Sequence, residues 1–553
     1  MSKENGSKGN GGDAQQALSL VRRQLAALPA RRRLDAIIES RGARALVRSL
    51  PAEDLYFTIM EVGLADSTEL VHLASPEQYR TFVDLGGWTK DKLAPHEVLT
   101  WIRAARGDEP EEFLRKLRKL DAEVLEMILR EFTLVHDLEE NPDVHVEGVT
   151  LETPEGRYLV EFKGVEGPEL AAMRALLNDL IADNPFEAVR FMEATRWDLP
   201  SELEEAAYRF RTARLQDLGF PPLEEAVRLF SRVDTGPAPT TAPGTALASQ
   251  GQPDYLEAAF RSLEPLEREN LEDELRYMAN ATLVAEVEDP GDLDALRRVG
   301  EMARDYLLLG LEHLTGGDPS RAAQVVRDTE LKRIFQVGFS LTLTLKFRAD
   351  RLMKQPLAQV EGTPLLFPEE AAAVESLRRK RPRRALKVPG AEPVSFRSRR
   401  ELASSEEVLT RAEAQVSLLG ALLGGTPERA REVLARFGTE PRVGMDHVFT
   451  AVVALALLEG KVDPRPVPAE RGDELGAMLF EGSPEAPRLR PDVAGRALTV
   501  LEPAVPEPAR LELRRLVNVT LARLLEELAP SFLEEGKLTP IASVLLPMQR
   551  GQP

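Results

Sequence analysis

Apolar residues along this chain recur mostly at three- and four-residue intervals, the spacing that puts them on one stripe of an α-helix. Val124, Leu125, Ile128, Leu129 and Phe132 make one such stripe, and Leu170, Met173, Leu176, Leu177, Leu180 and Ile181 another. Many stripes open on a proline followed closely by carboxylates: Pro51, Pro76, Pro110, Pro168, Pro200, Pro222, Pro368 and Pro427. Proline suits a helix start because its missing N–H would be unpaired there, and a first-turn carboxylate meets the positive end of the helix dipole. The pattern predicts a mainly α protein, an irregular multi-domain helical bundle or solenoid. The starts are unevenly spaced, which excludes a fixed-period repeat array.

Two stretches depart from the helical period. Val144, Val146, Val149 and Leu151 lead through Thr153-Pro154-Glu155-Gly156 to Tyr158, Val160 and Phe162, which alternate with polar neighbours. Alternation on both sides of a Pro/Gly turn predicts a β-hairpin over 142–164. Phe339, Leu341, Leu343, Leu345 and Phe347 also alternate, but Leu331, Ile334, Phe335 and Gly338 extend the same segment with helical spacing. Helix is the favoured reading there, with strand as the alternative.

Composition divides the chain. Of its 553 residues, 1–17 read as a disordered tail, 18–141 as a solenoid-like helical domain, and 165–234 as helices packed on it. Thr235 to Pro253 carries no charge and is rich in Pro, Gly, Thr and Ala, so 235–253 is the expected linker. A second helical domain follows at 254–377, a basic connector at 378–400, a third helical domain at 401–530 and a tail at 531–553. Hydrophobic residues make up 43% and aromatic ones only 5%, a balance that suits Leu/Ala/Val helix bundles better than sandwiches. The net charge of −20 argues against general attraction to nucleic acid or anionic membranes. There is no cysteine, hence no thiolate chemistry and no cysteine-bound metal. The longest largely apolar run, Val448 to Leu458, is shorter than the ~20 residues that cross a bilayer, and no secretory signal opens the chain. A cytoplasmic protein without membrane insertion is expected.

Candidate chemistry is sparse. On the helix expected over 201–218, Glu204, Tyr208 and Arg211 fall at four- and three-residue spacing, and Arg214 continues the face. That face could bind a small anion or serve an enzyme; a lattice of helical ion pairs, Glu205–Arg209 and Arg214–Asp217, is the preferred reading. His136, Asp137, Glu139, Glu140 and His145 are close in sequence but lack metal-ligand spacing, so a hydrated acidic turn is preferred to a metal site. Gly316 to Ser320 opens a helix and could hold a phosphate. No P-loop, nucleophile elbow or dinucleotide fingerprint occurs, and neither catalytic residues nor a cofactor are assigned. The basic connector holds Arg378, Arg379, Lys380, Arg381, Arg383, Arg384 and Lys387, joined by Arg397, Arg399 and Arg400; its net charge is +9. It could grip a polyanion such as nucleic acid, or lie on the protein's own acidic surface; the second is preferred, because Phe396 is its only aromatic.

The segment Glu202 to Pro221 resembles the signature helix of a bacterial family of unknown function, whose members are long, soluble and helical. Leu331 to Phe339 is similar to a second landmark of that family. In outline, the first third also resembles the helical solenoid of magnesium transporters and the layers of flagellar switch proteins, on pattern alone. The family resemblance implies an all-helical fold and supplies no activity. A non-enzymatic scaffold or adaptor for a protein partner is therefore the expected function, with a homo-oligomer possible. The alternatives are an enzyme or anion binder at 201–218, and polyanion binding at 378–400.

Overall fold

The computed structural model describes residues 25, 28–107, 109–239, 254–388, 390–437, 444–481, 488–535 and 548–549. The expected tail at 1–17 and most of the expected linker, 240–253, lie outside them. The fold is mainly α, with a few short strand pairs. Six of the eight prolines occupy the first positions of helices, among them Pro76–Gly86, Pro200–Asp217 and Pro427–Ala435. Pro51 and Pro222 sit one step earlier, as the caps of Ala52–Val62 and Leu223–Val227. Their ψ angles of 140° and 149° keep them extended just before the first turn.

The chain forms two compact units, each drawn from two separate stretches. The first contains residues 1–229 and 265–303. Short helices from Ala30–Ile38 to Ala122–Phe132 bury Tyr56, Tyr79, Phe82 and Trp101 within it. The helix Pro265–Ala285 and the turn after it join this unit through a close backbone approach. A Cβ on Gly291 would stand 2.0 Å from the carbonyl oxygen of Leu85, so only glycine fits. There the buried Tyr56 hydroxyl donates to the Gly291 carbonyl at 3.1 Å.

The expected hairpin is present but is part of a larger sheet. Thr150–Glu152 and Tyr158–Phe162 pair as predicted, so the first strand starts later than Val144. A third strand, Thr133–Asp137, pairs antiparallel on the other side of Tyr158–Phe162. His136 and Asp137 thus lie in a strand rather than in an acidic turn. A two-residue strand pair, Trp88–Thr89 with Lys92–Leu93, was also unforeseen; it turns through Lys90 at a φ of 59°.

The second unit contains residues 230–264 and 304–553. The segment 339–347 is helical, within Leu331–Met353: Leu331, Ile334, Phe335, Gly338, Phe339, Leu343 and Leu345 are buried, while Phe347, the last of the alternating set, is exposed. Within this unit the last turns of Leu293–Leu314 touch Leu331–Met353 backbone to backbone. A Cβ on Gly338 would lie 1.9 Å from the carbonyl oxygen of Tyr306, and one on Gly310 would lie 2.1 Å from that of Ile334. Tyr306, Phe335, Phe339 and Phe230 meet edge to face around this crossing, with centroids 5.2–6.3 Å apart. Val448 to Leu458 lies in the helix Met445–Glu459, buried on all sides within a core built with Val493–Leu501 and Arg510–Glu535. Among the described residues, no helix is long and apolar enough to cross a membrane. Part of the expected tail is ordered: Met548–Gln549 pairs parallel with Val467–Pro468.

Two outcomes test this packing. Gly338→Ala should cost about 3 kcal/mol in chemical denaturation, as expected for overpacking against backbone. Lys116 is buried, its ammonium donating to the carbonyls of Val71 at 2.8 Å and His72 at 2.9 Å. Burial lowers its pKa from 10.5 to about 8. The unfolded chain therefore holds this proton more tightly, so the contribution of Lys116 to stability rises from about pH 8 toward pH 10. Denaturation of the wild type and Lys116→Met across that window should show the rise in the wild type only.

Candidate functional site

The helix Pro200–Asp217 carries the densest set of polar residues singled out in the sequence, and its two inward arginines are structural anchors. Arg214 turns away from Asp217 and reaches across to two other elements. Its guanidinium donates to both carboxylate oxygens of Asp84, at 2.6 and 2.7 Å, and to both of Asp121, at 3.0 and 2.6 Å. Asp84 lies on the helix Pro76–Gly86, and Asp121 caps Ala122–Phe132, so one side chain ties three helices. Burial pushes the Asp84 carboxyl up, countered by Arg214. For Arg214, burial works against the charge, but the bonds to Asp84 and Asp121 outweigh it and raise the pKa.

Arg211 is 3% exposed and also faces inward. It donates to the carbonyls of Asp84 at 2.7 Å and Lys90 at 3.2 Å, and its guanidinium lies 5.0 Å from the Trp88 ring. Burial lowers its pKa, countered first by Asp84. Tyr208 is largely exposed, with its ring 6.2 Å from that of Trp88, and Glu204 is half-buried. Arg211 and Tyr208 therefore share Trp88 as a neighbour, while Arg214 is committed to two aspartates. Arg211 Nη2 and Trp88 Nε1 are buried without a hydrogen-bond partner among the described residues. Asp84, Asp121 and Trp88 have no sequence signal that links them to this helix, because each lies on a separate element.

The basic connector is largely folded back on the second unit. Arg378 pairs with Asp350 at 2.9 Å, Arg384 with Glu401 at 3.1 Å, and Arg397 with Asp305 at 3.8 Å. Arg381 is buried, its guanidinium 3.4 Å from the centre of the Phe230 ring. Arg383 donates to the Pro393 carbonyl at 3.3 Å, and Arg384 exchanges backbone bonds with Val394. The Arg399 amide donates to Glu312 at 2.7 Å. Arg379, Lys380, Lys387 and Arg400 remain exposed, with Glu392 3.9 Å from Arg379.

The acidic group near 136–145 is taken up by cations. His136 faces Glu161 at 3.2 Å, Asp137 bonds Arg157 at 3.0 Å and Arg196 at 3.1 Å, and Glu140 also bonds Arg196. Burial acts to raise the Asp137 carboxyl, yet the bonds from Arg157 and the Glu139 amide hold it below its ordinary value. Among the described residues no cluster suits a metal ion. At 316–320, the Asp318 carboxylate already accepts from the Ser320 amide at 3.0 Å, where a phosphate would need that donor.

Sequence reasoning missed a cleft of about 330 Å³ between the strand Thr133–Asp137 and the end of the helix Pro185–Trp197. Arg130, Lys163 and Arg196 line it, with Thr133, Leu134, Val135, Thr195 and Trp197. Leu134 is 48% exposed and Trp197 67%. The only signal that could have found it was Leu134-Val135-His136 between a helical stripe and the hairpin, too short to mark a strand by itself.

Removing Arg214 should leave the buried Asp84 carboxylate without the cation hydrogen-bonded to it. Arg214→Met is expected to cost about 3 kcal/mol in urea denaturation, the scale of breaking a buried pair. Asp121→Asn, which keeps the Asp84 pair, should cost less.

No curated protein and no solved structure matches the chain, so the likeness to magnesium-transporter solenoids is not shown. The sequence profile of a family of unknown function (DUF6178) matches residues 11–549, and the chain belongs to that family.

Proposed function

We propose that this protein is a non-enzymatic helical scaffold that binds a protein partner through the surface of its first unit. The observation that carries this reading is the run of large apolar side chains left in solvent along residues 186–227. Phe186 is 89% exposed and Trp197 is exposed at the other end of the same helix, with Leu199, Phe210, Leu223 and Val227 exposed on the elements that follow. Exposed aromatic residues of this kind are enriched at protein interfaces, and large exposed apolar patches commonly mark them. The charges that might have served catalysis instead hold helices together, as Arg214 does between Asp84 and Asp121.

Affinity capture of the full chain from its native cells, at low and high salt and read by mass spectrometry, tests this reading. A partner retained at both salts should be recovered, and Phe186→Ser should reduce its recovery about tenfold, the effect of losing an aromatic anchor. An unchanged melting temperature would show that the variant still folds. Recovery of no partner at either salt would remove the scaffold reading.

A further inference from the structure

The sheet of the first unit ends in the strand Thr133–Asp137, whose outer edge pairs with no other strand among the described residues. In an antiparallel pair, alternate residues bond to the partner and the others turn their peptide groups the opposite way. Lys163 N donates to Phe132 O at 2.9 Å, and Leu138 N donates to Arg157 O at 2.7 Å. With Leu134 opposite Glu161 and His136 opposite Leu159, the even positions face the central strand. Thr133, Val135 and Asp137 therefore face outward. The Thr133 amide is used by the Leu129 carbonyl, and the Asp137 carbonyl by the Asn141 amide. This leaves the Thr133 carbonyl, both peptide groups of Val135 and the Asp137 amide, which have no hydrogen-bond partner among the described residues.

Thr133, Leu134 and Val135 line the 330 Å³ cleft, Leu134 exposed and the other two buried at its wall. Among the described residues, the three charged side chains that line it are all cations and no carboxylate does. Two are held in place. Arg130 donates to the carbonyls of Thr195 at 2.9 Å and Asp198 at 2.8 Å, and Arg196 is fixed by Asp137 at 3.1 Å. Lys163 is exposed and makes no ion pair among the described residues. Leu134 and the Trp197 indole offer apolar surface at the same place. An open strand edge beside pockets for alternate side chains is the arrangement that accepts an added strand.

We propose that the edge Thr133–Val135 takes an extended, acidic segment of a partner protein as an added strand. Carboxylates of that segment lie beside Lys163 and Arg130, and an apolar residue packs on Leu134 and Trp197. The proposal rests on the scaffold reading and gives its partner a chemistry. Charge complementarity selects the occupant: a basic segment would meet three cations, and a folded globular surface would leave the strand edge unpaired.

The test uses the full-length protein and fluorescein-labelled peptides of alternating glutamate and valine, alternating lysine and valine, and N-methylated glutamate and valine. By anisotropy, the glutamate peptide should bind at least about tenfold more tightly than either other peptide, a difference within the range of interface charge and hydrogen-bond effects. Lys163→Glu and Leu134→Glu should each weaken it at least about fivefold, with melting temperatures unchanged. Amide exchange over 133–137 should slow when the glutamate peptide binds, because the Val135 N–H becomes bonded. Equal binding of the glutamate and lysine peptides, no binding of either, or protection confined to other segments would overturn the proposal. Partner capture that needs Phe186 but is unchanged by Lys163→Glu and Leu134→Glu would also overturn it, and would leave the scaffold reading standing.

Discussion

One guanidinium organises the first unit. Arg214 joins Asp84 and Asp121 through four charge-assisted bonds, and Arg211, one turn earlier, caps the backbone carbonyls of Asp84 and Lys90. Bidentate pairs of this kind combine strength with fixed direction. They set the helix Pro200–Asp217 against Pro76–Gly86 and Ala122–Phe132, and the strand Thr133–Asp137 begins where the last of these helices ends. The position of the sheet edge therefore depends on a helix packing that the arginine fixes. The polar residues most suggestive of chemistry in the sequence are those that build the frame.

The second unit reaches rigidity by a different route. Gly310 and Gly338 bring two long helices into backbone contact, and four aromatic rings close around the crossing. Arg381, from the basic connector, covers the Phe230 ring at 3.4 Å. A cation over an aromatic face contributes up to roughly 2 kcal/mol when desolvated. Part of the connector's charge is thus answered within the unit, by Asp350, Glu401 and Asp305, and the rest is exposed.

Helices were legible because their period and their starts are local. Pro76, Pro110 and Pro200 marked helix starts without reference to anything distant. The segment 339–347 was ambiguous by period, and length together with flanking residues favoured the helix it forms. What depended on distant partners was not legible. Arg214 looked like a partner for Asp217, and nothing in the sequence pointed to Asp84, 130 residues earlier. Thr133–Asp137 is a strand only because Tyr158–Phe162 lies beside it. Gly291 and Gly338 read as ordinary glycines until a second backbone stands against them. The two-stretch makeup of each unit has the same cause.

The proposed role is that this protein acts through the relief of its first unit, at the unpaired sheet edge, while its charged helix serves as structure. The most direct measurement places a photo-crosslinking benzoylphenylalanine at Leu134, or at Glu204, in the full chain inside its native cells. The account predicts an ultraviolet-dependent cross-link to another protein from position 134, through an acidic segment, and little from position 204. Cross-linking from position 204 with none from 134 would contradict it.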